Sequence, residues 1–170
     1  LRIQYVCTVP MNAIGNAISP YTGQNLGARK VDRVIQGYHS ANKLVMLYAV
    51  IILIVLETCN EPIIRFFLGD RASATALETG TSFLKFVGFF ISIIGFKMAV
   101  DGVLRGAGDM KLFTIANLTN LGLRIFISLT LAPIYGIQMV WMAEPVGWSA
   151  NWLISYYEYH SRRWIDKVKL

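Results

Sequence analysis

Val100-Asp101-Gly102-Val103-Leu104-Arg105-Gly106-Ala107-Gly108-Asp109-Met110-Lys111 separates two long apolar runs, Phe86 through Leu104 and Leu112 through Leu131. Two such runs meeting at a short, charged, glycine-broken joint predict a helical hairpin that turns at a membrane surface. Gly106 and Gly108 supply the positive φ that stops the first helix. Asp109 caps the second, and Arg105 with Lys111 holds the joint among headgroups. A soluble reading would bury both runs in one core. Neighbouring segments are equally apolar, and 170 residues leave no room to bury them all.

Composition agrees. Hydrophobic residues make up 55% of the chain and charged residues 15%, with a mean hydropathy of +0.49, too apolar for an ordinary soluble surface. The net charge of +6 would suit nucleic acid, but the basic residues gather at segment ends instead of along one polar face, so they read as topology signals and exclude a nucleic-acid partner. Cys7 and Cys59 have no CxxC or Cys/His spacing, so neither a disulfide framework nor a metal site is expected. Membrane lipid is the expected surrounding.

Working outward, Leu1 to Ser19 reads as a partial span with a kink at Pro10 and an end near Pro20. Its polar residues Arg2, Gln4, Asn12 and Asn16 are unlike a signal peptide, so the sequence is expected to be the C-terminal piece of a longer chain. Tyr21 to Lys30, with Gly23, Gln24, Gly27 and Ala28, forms a second glycine-rich joint carrying Arg29 and Lys30. The next span centres on Leu44 to Leu56, extends back towards Gly37, and ends at Asn60-Glu61-Pro62. Ile63 to Leu68 suggests a short interfacial helix ending at Gly69-Asp70. Further spans are expected at Ser82 to Leu104, Leu112 to Leu131 with Pro133 as its stop, and Ile134 to Tyr157, followed by a basic tail over 161–170 with Trp164 as interfacial anchor. The fold class is therefore all-α: a multi-pass transmembrane helical bundle of about four full spans plus the end of a fifth.

Arg29, Lys30, Arg33, Lys43, Arg105, Lys111, Arg162, Arg163, Lys167 and Lys169 fall on one side, and Arg65, Arg71, Arg2 and Lys85 on the other. Ten against four puts the first side, with the C-terminus, in the cytoplasm.

Charges inside the spans are the candidates for chemistry, because a bilayer tolerates them only facing the protein or a water-filled cavity. Lys97, Asp101 and Arg105 recur at i, i+4, i+8, one stripe with the carboxylate between two cations. It reads as a proton or cation site, as a switchable ion pair near the cytoplasmic mouth, or as a static bridge at a helix end with Arg105 reaching the surface. Asn117, Asn120 and Arg124 draw a polar line down the following span, suited to interhelical hydrogen bonds or to a cavity wall. Glu144, just before Pro145, can pair with Arg124 or take part in proton coupling. Tyr48, Phe86, Phe89, Phe90, Phe96, Trp141, Trp148 and Trp152 can line a cavity for flat lipophilic cations or face lipid. Enzyme signals are absent: there is no HExxH, GxSxG or Walker loop, His39 and His160 stand alone, and the GAG at 106–108 follows a helix where a phosphate fingerprint needs a strand.

The two joints, Gly23-Gln24-Asn25-Leu26-Gly27-Ala28 and Leu104-Arg105-Gly106-Ala107-Gly108-Asp109, followed by Asn120, Arg124, Gly136, Pro145, Tyr156-Tyr157 and Arg163-Trp164, resemble the C-terminal half of the multidrug and toxin extrusion (MATE) family. The resemblance implies two six-helix lobes, of which residues 1–160 would be part of the second and 161–170 a basic cytoplasmic tail. It also implies a multi-pass antiporter of the plasma membrane that exports amphipathic, cationic compounds in exchange for sodium ions or protons, with no other cofactor. The missing N-terminal lobe and a small-molecule substrate would be its partners. Some members use an acidic residue further up the Ser82 to Leu104 span, where this sequence has Phe90 and Ile94, so Asp101 does not inherit that role. A lipid-linked sugar flippase of the same superfamily is the nearest alternative, kept open by Lys97 and Arg124, and a membrane-embedded enzyme of lipid metabolism is a further one.

Overall fold

The computed structural model describes residues 2–69 and 73–165. Arg71, Asp70, Lys167 and Lys169, and with them part of the charge count and most of the tail, lie outside the described residues. The elements are α1 (Arg2–Gly27), α2 (Val31–Thr58), α3 (Asn60–Leu68), α4 (Ala74–Gly106), α5 (Met110–Thr130), α6 (Ala132–Tyr135) and α7 (Gln138–Ser161), with no strand among the described residues. The all-α bundle expected from hydropathy is what forms. Three of these helices, α2, α4 and α5, are long and apolar enough to cross a membrane. Helices α1 and α7 have 26 and 24 residues, a spanning length, but fall short of that apolar standard.

α1, α4 and α7 run parallel to one another, and α2 and α5 run against them. Two buried clusters mark the ends of the bundle. One joins Leu26, Val34, Tyr38, Val103, Leu104, Ala107, Tyr159 and Trp164, bringing both joints and the end of α7 together. The other joins Cys7, Leu56, Ile64, Leu84 and Ile91 around the α2–α3 corner. Arg29, Lys30, Arg105 and Lys111 thus lie at one end of the bundle, and Arg2 and Arg65 at the other.

The glycines correct the first expectation about the joints. At the α4–α5 joint only Gly108 takes positive φ, +76°, while Gly106 is the last helical residue of α4. Its hydrogen atom lets another backbone in: a Cβ on Gly106 would strike the Ser19 carbonyl oxygen, one on Gly102 would strike that of Gly15, and one on Gly15 would lie 2.6 Å from the Met98 carbonyl oxygen. Gly15, Ser19 and Gly23 on α1 and Gly102 and Gly106 on α4 are each four residues apart. They form the small-xxx-small faces by which membrane helices reach close packing without a hydrophobic drive.

The second joint is corrected in the same way. α1 continues through Pro10 and Pro20 to Gly27, so Gly23 and Gln24 are helical and the turn occupies only Ala28, Arg29 and Lys30. Arg29, not a glycine, adopts the left-handed conformation, at φ 58°. Gly23 faces the Gly106 carbonyl oxygen, Gln24 is exposed, and Gly27 has open space around it.

α4 starts at Ala74, earlier than the expected Ser82. Ser73 caps it by accepting the Ala76 N–H at 3.2 Å, and Gly80 packs against Ile64 of α3. Its first turns, exposed from Ala74 to Ala76 and at Glu78 and Thr79, rest on this cap and on the Ile64 contact, neither of which an apolar count registers. Asp109 caps α5 as expected, accepting the Leu112 N–H at 3.4 Å while almost wholly buried. Trp164 is not a surface anchor: it is 1% exposed, stacks on Tyr159 and donates its indole N–H to the Tyr159 carbonyl at 2.8 Å. Of the two thiols, Cys7 is buried and Cys59 is exposed.

Candidate functional site

The buried polar groups lie where α4, α5 and α7 meet. Lys97 and Asp101, one turn apart on α4, form an ion pair of 2.9 Å between Nζ and Oδ2, their side chains only 7% and 5% exposed. The ammonium also donates to Asn117 Oδ1 of α5 at 3.0 Å. From α7, Ser155 Oγ donates to Asp101 Oδ1 at 2.7 Å, and the buried Asn151 places its Oδ1 3.5 Å from that hydroxyl. Asn151 Nδ2 is enclosed and without a hydrogen-bond partner. One carboxylate, one ammonium and three neutral polar side chains thus fill the core where three helices cross.

Arg105 departs from the expected stripe. It turns away from Asp101 to α1, donating to the Gly15 carbonyl at 3.3 Å and to Asn16 Oδ1 at 3.0 Å, with its guanidinium 6.0 Å from the centre of the Phe113 ring. The i+8 spacing set it one turn beyond Asp101 but not beside it. Its choice of partner depended on α1 passing within reach, which is a tertiary fact.

Two turns along α5 from Asn117, about 10 Å, Arg124 donates to Glu144 Oε1 of α7 at 2.9 Å. Gln4 of α1 reaches the other oxygen of the same carboxylate. Asn120 lies against Gly147, where a Cβ would strike its amide oxygen. The line Asn117, Asn120, Arg124 therefore faces α4 and α7, away from lipid, and acts as interhelical glue at Asn117. At Arg124, whose side chain is 40% exposed, it also borders open space.

On the other side of the Glu144 carboxylate, at the α3 end, lies a cavity of about 900 Å³, lined by Arg2, Phe67, Phe83, Trp141 and Glu144 among others. Phe83 and Trp141 meet edge to face at 5.4 Å. Of the expected aromatic set, Trp141 lines this cavity, Trp148 is buried, and Phe89 is 72% exposed on the outside of the bundle.

Sequence reasoning missed Gln4, Asn151, Ser155 and the buried Glu158. A signal was present on α7: Glu144, Asn151, Ser155 and Glu158 lie at i, i+7, i+11 and i+14, one helical face. No group of three or more His, Cys, Asp or Glu suited to a metal exists among the described residues.

Long apolar helices, backbones in close contact through glycine, and a charge pair buried in the interior define a multi-pass helical membrane protein. The family model MatE matches residues 1–130, and the chain belongs to that family. Over 117 residues it is 26% identical to a protein of Bacillus subtilis (strain 168) described as the probable multidrug resistance protein YpnP. That alignment takes in 69% of this chain and 26% of the relative, so the chain spans about a quarter of the relative's length. No solved structure matches it. α7, with Glu144, Asn151 and Ser155, lies beyond the stretch the family model covers.

Proposed function

We propose that these residues form part of the C-terminal lobe of a secondary transporter, which exports amphipathic, cationic compounds in exchange for sodium ions or protons as two lobes rock about a central cavity. One observation carries the reading. In a member of the MatE family, the cavity beside α3 offers aromatic walls, Phe83 and Trp141, next to the Glu144 carboxylate. Rings attract the face of a flat cation and a carboxylate fixes its charge. The Arg124 guanidinium now holds that carboxylate, so a cationic compound would enter by competing with it. The description of the B. subtilis relative points the same way.

The flippase alternative is kept open by Lys97 and Arg124 as basic residues for a cavity. Each is paired with a carboxylate, so neither offers a net positive site, and this weighs against it. The reading places both joints and the end of α7 in the cytoplasm of a plasma-membrane protein, and it makes the protein a carrier, not an enzyme.

The test uses the whole transporter in cells stripped of other efflux pumps. Ethidium extrusion should appear with the wild-type protein and fall about tenfold in Trp141→Ala, the loss of roughly 1.4 kcal/mol expected for a partly desolvated cation–π contact. Wild-type cells that retain ethidium, and vesicles that instead flip a lipid-linked sugar, would overturn it. Residues 1–170 expressed alone should leave ethidium accumulation unchanged, because alternating access needs a second lobe.

A further inference from the structure

We propose that the trough between α1 and α2 binds one phospholipid with an anionic headgroup, Arg33 and Lys43 holding its phosphate while Ile14, Ala17 and Leu44 receive the upper part of an acyl chain. Placing that lipid in the cytoplasmic leaflet rests on the reading above; the binding itself does not.

Shape is the first reason. From their joint, α1 and α2 leave between them a cavity of about 450 Å³, lined by Ile14, Ala17, Tyr21, Gln36, Ser40 and Leu44 among others. Ala17, Tyr21, Gln36, Ser40 and Leu44 are all exposed, so it is a trough open to the surroundings and not a chamber. A Cβ on Gly37 would strike the Tyr21 ring, so glycine is what lets that ring lie across α2, where the phenol donates to the Arg33 carbonyl oxygen at 3.1 Å. Tyr21, Gln36 and Ser40 make the end towards the joint polar, and Ile14 and Leu44 make the other end apolar. Leu44 to Leu56 carries no charge, so hydrocarbon begins close to Lys43. A trough running from Gln36 to Leu44, about 12 Å along the helix, crosses the boundary between headgroups and acyl chains, as a phospholipid does.

Charge is the second reason, and it selects the headgroup. From Ala28 to Leu56, Arg29, Lys30, Arg33 and Lys43 stand against a single carboxylate, Asp32. The ion pairs among the described residues take up Arg65, Lys97 and Arg124, and leave Arg33 and Lys43 without a carboxylate. Arg33 precedes Ser40 by seven residues and Lys43 follows Gln36 by seven, two turns each, so both cations stand on the face of α2 that walls the trough. The Ser40 hydroxyl and the Gln36 amide, exposed and engaged in no hydrogen bond among the described residues, are free to donate to phosphate and ester oxygens. A phosphodiester of net negative charge gains from both cations. A zwitterionic headgroup brings its own ammonium into the same field and gains less, and a free phosphate leaves the apolar end of the trough unfilled.

The experiment titrates the purified full-length protein, in a neutral detergent, with phosphatidylglycerol, with phosphatidylcholine of the same chains, and with glycerol phosphate, read by native mass spectrometry and by thermal shift. One phosphatidylglycerol should be retained at least tenfold more tightly than phosphatidylcholine and should raise the melting temperature, while glycerol phosphate should not displace it. Arg33→Gln and Lys43→Gln should each weaken phosphatidylglycerol about fivefold and leave phosphatidylcholine unchanged. Ala17→Trp fills the trough with the charges intact, and should abolish both the retained lipid and its thermal shift. The double variant Lys111→Gln, Arg163→Gln removes two exposed cations from the same end of the bundle but outside the trough, and should bind as the wild type does. Equal retention of the two lipids would overturn the proposal, as would displacement by glycerol phosphate, a lipid still held by Ala17→Trp, or an equal loss in the Lys111, Arg163 variant. Phosphatidylglycerol held in the trough of a protein that exports no ethidium would leave this site standing and sink the transport reading instead.

Discussion

At the scale of residues, the two ion pairs invite a direct comparison because their exposure differs. Lys97 and Asp101 are 7% and 5% exposed, whereas Arg124 is 40% exposed. Asp101→Asn strands an ammonium in the core and should cost about 2 to 4 kcal/mol, as broken buried pairs and membrane insertion scales suggest. Glu144→Gln strands a guanidinium that water reaches, and should cost about 1 kcal/mol or less. Melting temperatures in detergent should fall clearly in the first variant and little in the second, and Lys97→Met should recover much of the Asp101→Asn loss. Equal losses would mean that burial does not set the strength of these pairs. The Lys97–Asp101 pair was legible because i, i+4 spacing on a helix nearly dictates contact. The Arg105 bond to Gly15 was not, because a backbone acceptor on another helix leaves no trace in the residue types. Asn151 and Ser155 were legible in principle from their heptad-like spacing with Glu144, but they sit among aromatic residues that draw attention to lipid contact.

Among the elements, the decisive feature is how glycine is used. Gly106 and Gly27 lie at corresponding ends of α4 and α1, and sequence reading gave both the same task at a joint. The Ser19 carbonyl crowds Gly106, while nothing approaches Gly27. Gly106→Ala should therefore destabilise by about 1 to 3 kcal/mol through forced separation of the helices. Gly27→Ala, at a helical position with room, should be neutral or stabilise by a few tenths to about 1 kcal/mol. Thermal melts of the two single variants check the contrast, and similar behaviour would argue against the α1–α4 contact. The existence of the helices was legible from apolar runs, and their ends were less so. Pro20 and the small polar residues after it imitate a loop, yet the helix persists because α4 lies alongside. The polar, exposed start of α4 forms on the Ser73 cap, which carries no apolar signal.

For the molecule as a whole, the shared end of α1, α2, α4, α5 and α7 makes topology testable. Single cysteines at Ser161 and Ala74, in a protein lacking Cys7 and Cys59, should react with an impermeant thiol reagent from opposite faces of the membrane, Ala74 from outside. Three helices of spanning length, α4, α5 and α7, separate the two sites, so labelling from the same face would remove one crossing. The seam between α1 and α4 also bears on how such a lobe can change shape. Rocking motions are absorbed where long side chains can slide or switch rotamer, as they can between the ringed faces of α4 and α7 around Phe96 and Trp152. Where Gly15 meets Gly102 and Ser19 meets Gly106 one main chain rests on another, flanked by the stiff β-branched side chains of Ile18 and Thr22. α1 and α4 must therefore travel together as a single stiff beam. Any hinge within these helices has to open on the far side of α4, where Asp101 bridges to Ser155, so the ion pair lies on the line along which the bundle can bend.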